Sequence, residues 1–117
     1  MSEPIGREWR FYIDDMIAFA EKVVAYTNGL DQQAFVASGL VYDATMRNLE
    51  LIGEAATHVP DDVRTAHPQV PWRLVVATRN RLVQGYLGID NDTLWSIVIT
   101  DVPALLPLLR ALRRPAP

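Results

Sequence analysis

The sequence predicts an all-α protein, a bundle of four main helices plus a short one. Three observations carry that prediction. Apolar residues recur at intervals of three and four along nearly the whole chain, the spacing of one helix face. Proline and glycine cluster at the joints between these segments. No strand-like alternation or hairpin turn competes. A chain of 117 residues is long enough for one core and too short for two, so a single domain over 1–117 is expected.

The first helix carries Trp9, Ile13, Met16, Ile17, Ala20, Val23 and Val24 on one face, widened at sevens by Tyr12, Phe19 and Tyr26. Asn28-Gly29 should close it, because glycine takes the left-handed conformation beyond a helix end at little cost. Asp31 then caps a short turn through Phe35. A second long helix is expected from about Gly39 to His58, with Leu40, Val41, Ala44, Leu51, Ile52, Ala55 and Ala56 as its apolar face. Gly53 costs that helix roughly 1 kcal/mol relative to alanine, which points to the close approach of a neighbouring helix.

Pro60 ends the second helix, and Asp61-Asp62 suit the positive N-terminus of a short third helix over Val63–His67. Pro68 and Pro71 punctuate the next loop, and Pro71 fits the first turn of a fourth helix, where no N–H is needed. That helix should stop near Gly85. Asp90, Asn91 and Asp92 offer caps for a last helix through Leu94, Trp95, Val98, Ile99, Val102, Leu105 and Leu109. Pro103 and Pro107 fall inside it and predict a kink or a break. Arg110, Arg113 and Arg114 complement its negative C-terminal end.

Composition narrows the function. Half of the residues are apolar and 21% are charged, as in ordinary globular proteins. With no cysteine, and with His58 and His67 lacking an acidic partner at ligand spacing, neither a metal nor any other cofactor is expected. The N-terminus has no basic and apolar segments of a signal peptide, and no apolar run reaches the roughly 20 residues that span a bilayer. A cytoplasmic protein without membrane attachment is the expectation. Charge is uneven. Residues 1–62 hold 4 basic and 11 acidic side chains, and residues 63–117 hold 7 and 3. Ten of the 11 basic residues are arginine, suited to bidentate phosphate contacts. A basic C-terminal half could meet RNA, although an uneven solvated surface explains the same numbers.

The chemically informative stretch runs from Pro71 to Tyr86. On a regular helix residues 72, 75, 76, 79, 82, 83 and 86 share a face, so Arg79 falls in the middle of an apolar stripe. A guanidinium there needs an anion, a hydrogen-bonding cage or a wet cleft. It could also snorkel at the stripe's edge, or pair with Glu50 or Glu54. Asn80 and Gln84, four apart, would by themselves be a solvated polar pair. Arg47, with Glu50 three residues on, would by itself be a surface ion pair.

Arg79-Asn80-Arg81-Leu82-Val83-Gln84-Gly85-Tyr86 resembles the signature R-N-x-x-x-H-x-Y of HepT-like toxins, which are HEPN-type ribonucleases, with one mismatch. Ile52-Gly53-Glu54-Ala55-Ala56, Tyr26-Thr27-Asn28-Gly29, Val70-Pro71-Trp72, Gly88-Ile89-Asp90 and Asp101-Val102-Pro103 accompany it at similar spacing, so the resemblance covers essentially the whole chain. It implies a HEPN-type bundle and a homodimer whose cleft unites two copies of the motif. It also implies metal-independent cleavage of RNA in a type VII-like toxin–antitoxin system, with a minimal nucleotidyltransferase antitoxin that transfers AMP to the tyrosine matched by Tyr86. By the same correspondence Arg79 would hold the scissile phosphate, Asn80 would orient it, and Gln84 occupies the histidine slot. Arg81, Arg73 and Arg47 are candidate RNA contacts. Residues 79 and 84 lie about 140° apart around a helix, which suits convergence across two chains better than within one.

Gln84 is the departure from the pattern. Attack by a ribose 2′-OH needs a base for its proton and an acid for the leaving oxygen. Imidazole serves because it titrates near neutrality, whereas an amide only hydrogen-bonds. Losing such help costs on the order of 10²–10⁴ in rate. His58 and His67 lie outside the motif, and nothing in the sequence argues that either substitutes. Two origins fit: an inactivating change in a toxin, or a natural, catalytically silent HEPN module that binds RNA or a nucleotidyltransferase. The codon at position 84 in the source gene separates them.

Overall fold

The computed structural model describes residues 5–84 and 89–113, with side chains described from Glu8 onward. Helix α1 spans Ile5–Thr27, α2 Gln32–Ala37, α3 Gly39–Thr57, α4 Asp61–Ala66, α5 Trp72–Val83, α6 Asn91–Ser96 and α7 Val102–Arg113. A π-helical turn, Ile97–Asp101, joins the last two into one continuous helix. Among the described residues there is no strand. The four main helices are therefore α1, α3, α5 and the composite α6–α7. Gly85, Tyr86 and Arg114 lie outside the described residues.

The core follows the expected periodicity. Ile13, Met16, Ile17, Ala20 and Val23 of α1 are fully buried, in one core cluster with Ile52 and Ala56 of α3 and Val98, Val102 and Leu109 of the last helix. Helix α1 packs on both α3 and α7, whereas α5 packs chiefly on α3, as an outer layer. Phe35 is fully buried with its ring 5.3 Å from Tyr42 and 5.2 Å from Trp95, clamping α2 between α3 and α6. Burying each such side chain contributes about 1.5–3 kcal/mol.

Most helix ends follow from local chemistry. Gly29, at φ 81°, turns the chain after α1. Asp31 caps α2 by accepting from Ala34 N–H at 2.8 Å, and Ser38 caps α3 through Val41 N–H at 3.3 Å. Residues 32–37 form a true helix where a turn was expected, since this cap and the burial of Phe35 both favour it. The short third helix begins at Asp61, two residues earlier than expected, and Pro71 stands at the N-cap of α5 instead of inside its first turn.

Three expectations need correction. Val24 and Leu40 were placed on buried faces but are 36% and 82% exposed. The seam of α1 is narrower than its apolar stripe, and Leu40 is the second residue of α3, at the very start of that helix. The last helix does not break at its prolines. Val102 N–H bonds to Ile97 O in the π-helical turn just before Pro103, and both prolines are exposed, so water can reach the carbonyls they leave unpaired. Finally, the continuous helix Asn91–Arg113 has 23 residues and contains an 18-residue stretch of mean hydropathy 1.5, long and apolar enough to cross a membrane. Its buried residues Leu94, Val98, Val102, Leu105 and Leu109 belong to the core cluster of the bundle.

Candidate functional site

Helices α3 and α5 meet at Gly53, and the reason is Arg79. A Cβ built on Gly53 would fall 2.1 Å from Arg79 Cβ, 2.8 Å from its Cγ and 3.1 Å from the Val75 carbonyl oxygen. Only glycine lets the arginine stem cross α3 at this depth, so the close approach expected at Gly53 is a contact with the motif itself. Beyond the crossing, the guanidinium turns to the surface. Its Nη2 donates to Glu54 Oε1 at 2.6 Å and its Nη1 to Asn80 Oδ1 at 2.9 Å. The side chain is 31% exposed. Of the open readings of Arg79, pairing with Glu54 is the one realised within the chain. Among the described residues two of its donors are engaged, and the guanidinium fork has further N–H groups that can take an anion.

Glu54 reaches further. Its second oxygen, Oε2, lies 3.4 Å from His58 Nε2, one helical turn along α3. The His58 ring in turn stacks on Tyr12 of α1, with centroids 4.8 Å apart and planes 17° from parallel. Tyr12, His58, Glu54, Arg79 and Asn80 thus form one connected polar chain across three helices. Residues 47, 50, 54 and 58 lie along one side of α3, at i,i+3 and i,i+4 spacing. Sequence reasoning placed His58 outside the motif and gave it no acidic partner, whereas the structure pairs it with Glu54 one turn back. The available signal was its four-residue spacing from Glu54, which had already been weighed as a partner of Arg79.

The other candidates are placed as follows. Gln84 is exposed just past the end of α5, its backbone N–H bonded to Asn80 O at 3.2 Å. With Arg73, Ala77 and Asn80 it occupies the side of α5 turned away from α3, all four exposed. Within the chain Arg79 is joined to Asn80, and Gln84 follows Asn80 one turn on, about 140° around the helix from Arg79. Val83, expected on the stripe with Arg79, is 58% exposed as the last residue of α5. Arg47 forms an ion pair with Glu50 at 3.3 Å and is 67% exposed, a surface pair of small energetic weight. Arg81 is exposed and close enough to Asp90 to contribute to its acidity. The Asp90 carboxyl is held below its ordinary pKa mainly by the hydrogen bond from Thr93 N–H, then by the Thr93 side chain, with Arg81 a smaller cause. No group of acidic, histidine or cysteine side chains suited to a metal occurs among the described residues.

A small apolar cleft opens between α3, α5 and the π-helical turn, lined by Leu49, Ile52, Leu74, Val75, Ile97 and Leu105 among others. It borders the Leu74–Thr78 side of α5, away from Asn80 and Gln84, and carries no cation for a phosphate. The polar chain through Arg79 is the better candidate site.

A bundle with this arginine-centred cluster on its outer helix is a candidate for handling a phosphodiester. The chain belongs to the ribonuclease HepT-like family, which it matches over residues 16–112. It is 36% identical over 99 residues to a protein of Methanocaldococcus jannaschii named as an RNase, covering 85% of this chain and 91% of the relative. It is 32% identical over 108 residues to a protein of Thermococcus cleftensis named as a ribonuclease HepT, covering 92% and 98%. A relative in Caldanaerobacter subterraneus subsp. tengcongensis, also named as an RNase, is 28% identical over 96 residues, covering 82% and 86%. No solved structure matches this chain.

Proposed function

We propose that this chain is a single-domain, cytoplasmic HEPN ribonuclease toxin of a type VII-like toxin–antitoxin pair, with catalysis impaired by Gln84. The observation that carries this reading is Arg79, anchored at Gly53 and braced by Glu54 and Asn80, with N–H groups left at the surface to take a phosphate. In the proposed reaction the ribose 2′-oxygen attacks phosphorus, the P–O5′ bond breaks, and a 2′,3′-cyclic phosphate and a 5′-hydroxyl form. Arg79 stabilises the charge developing on the phosphoryl oxygens, and needs no metal to do so. Asn80 positions the arginine, while Arg73 and Arg81 extend the basic surface toward flanking phosphates.

Two-fold assembly completes the site in this reading. Gln84 and Arg79 diverge around α5, so a second α5 across a dimer axis is the simple way to bring position 84 of one chain to Arg79 of the other. The partner is a minimal nucleotidyltransferase that places AMP on Tyr86, close in sequence to the phosphate site it would block. The competing reading is a silent module that binds RNA or the nucleotidyltransferase. Its support is Gln84 itself, which supplies no titrating group to the motif.

The deciding experiment is reversion. Gln84→His should make the protein toxic when expressed without its antitoxin, by supplying acid–base help worth about 10²–10⁴ in rate. Arg79→Ala added to that revertant should abolish the toxicity. A folded, dimeric revertant that stays inert favours the silent module.

A further inference from the structure

We propose that His58 supplies acid–base chemistry at this site, so that the chain retains slow, metal-independent RNA cleavage despite Gln84. The inference rests on the ribonuclease reading above. Its structural basis is the Glu54 carboxylate, which holds Arg79 Nη2 on one oxygen at 2.6 Å and His58 Nε2 on the other at 3.4 Å. An imidazole is thereby held beside the arginine that takes the phosphate, within a single chain.

The orientation suits a base. A histidine bonded to a carboxylate through one ring nitrogen has its tautomer and plane set, leaving the other nitrogen as the proton acceptor. Here Glu54 Oε2 faces Nε2 at 3.4 Å, an ion-pair contact that favours the proton on that nitrogen and leaves Nδ1 as the acceptor. Stacking on Tyr12 fixes the ring from the α1 side, and the side chain is 50% exposed, so an RNA strand can reach it. Among the described residues, the titratable or charged groups against His58 are Tyr12 of α1, Glu54 of its own helix and, through that carboxylate, Arg79 of α5.

The chemistry balances without a co-reactant. Nδ1 takes the 2′-hydroxyl proton as the 2′-oxygen bonds to phosphorus, and the P–O5′ electron pair leaves with the 5′-oxygen. That oxygen takes a proton from water, and the imidazolium later returns its proton to solvent. Glu54 faces the positive charge the ring gains in this step. A purely structural account, in which His58 only caps α3 and pairs with Glu54, predicts no effect on the chemistry.

The test uses the full-length protein, a fluorescent oligoribonucleotide and a chelator, with the same oligomer carrying 2′-deoxyribose as control. The unaltered chain should yield 2′,3′-cyclic phosphate ends from the ribose oligomer alone. Its rate should depend on pH, as proton removal by a side-chain base requires. His58→Gln, which keeps an amide donor for Glu54, should lower that rate about 10²-fold and flatten the profile. Added imidazole should restore cleavage to folded His58→Ala, a rescue that a structural role would not give. An unchanged rate and profile in His58→Gln overturns the proposal. So does silence of the unaltered chain beside an active Gln84→His revertant, which leaves the ribonuclease reading intact. If neither protein cleaves while both remain folded, that reading falls and the proposal with it.

Discussion

Gly53→Ala should destabilise the protein, although alanine is the better helix former. Alanine in place of glycine inside a helix is worth roughly 1 kcal/mol. Against this, the new methyl would sit 2.1 Å from Arg79 Cβ and 3.1 Å from the Val75 carbonyl oxygen. Neither neighbour can rotate away, since one is fixed to the α5 backbone and the other belongs to it. Carbon atoms in contact rest about 3.5–4.0 Å apart, so α5 must retreat by roughly 1.5 Å. Overpacking of this kind costs about 1–3 kcal/mol, and displacement of a whole helix places it near the upper end. The net loss should be about 2 kcal/mol. Helix α5 packs chiefly on α3, so the retreat should also stretch the 2.6 Å bond between Arg79 and Glu54 beyond hydrogen-bonding range. Urea denaturation followed by far-ultraviolet circular dichroism, at one fixed protein concentration, measures the difference. Gly39→Ala is the control: a Cβ there meets nothing within 4 Å, so its stability should hold or rise by a few tenths of a kcal/mol. Gly53→Ala as stable as the parent, or more so, would refute the claim that Arg79 dictates glycine at this position.

The other expectations concern a cap, a modification and an assembly. Asp90→Ala removes the acceptor for Thr93 N–H, a 2.7 Å bond at the start of α6. Because the Asp90 pKa is lowered in the folded protein, its stabilisation is present above the ordinary carboxylate value and lost as pH falls through the lowered one. The melting-temperature gap between parent and variant should therefore be full at pH 7 and close in strong acid; a gap unchanged at low pH would contradict the capping role. Co-expression with the cognate nucleotidyltransferase should add one AMP to the tryptic peptide containing Tyr86, and a label that persists in Tyr86→Phe would move the modification elsewhere. Sedimentation at micromolar concentration should give a dimer, and a monomer there would remove the two-chain site.

The periodicity of apolar residues was enough to place α1, α3, α5 and the last helix, because each buries one stripe and that stripe is a local property of the sequence. Local chemistry also placed Gly29 and Asp31 at helix ends and offered Asp90, Asn91 and Asp92 as caps, of which Asp90 is the one used. The resemblance centred on Arg79-Asn80 named the family, which the match over residues 16–112 establishes. Gly53 was legible as a close approach, yet its partner was not, since which residue of which helix arrives there depends on how α5 docks on α3.

The same limit hid His58 and misplaced Leu40. A stripe states which side of a helix is apolar, and only the packed neighbours decide how much of it is covered, which is why Leu40 is left 82% exposed. The prolines of the last helix predicted a kink or a break, and the helix runs on without a break through a π-helical turn just before Pro103. The four-residue step from Glu54 to His58 was readable in the sequence as a local pair. That this pair also holds Arg79, and that Tyr12 stacks behind the imidazole, required α1, α3 and α5 to be packed together, because those contacts span 25 residues in one direction and 46 in the other.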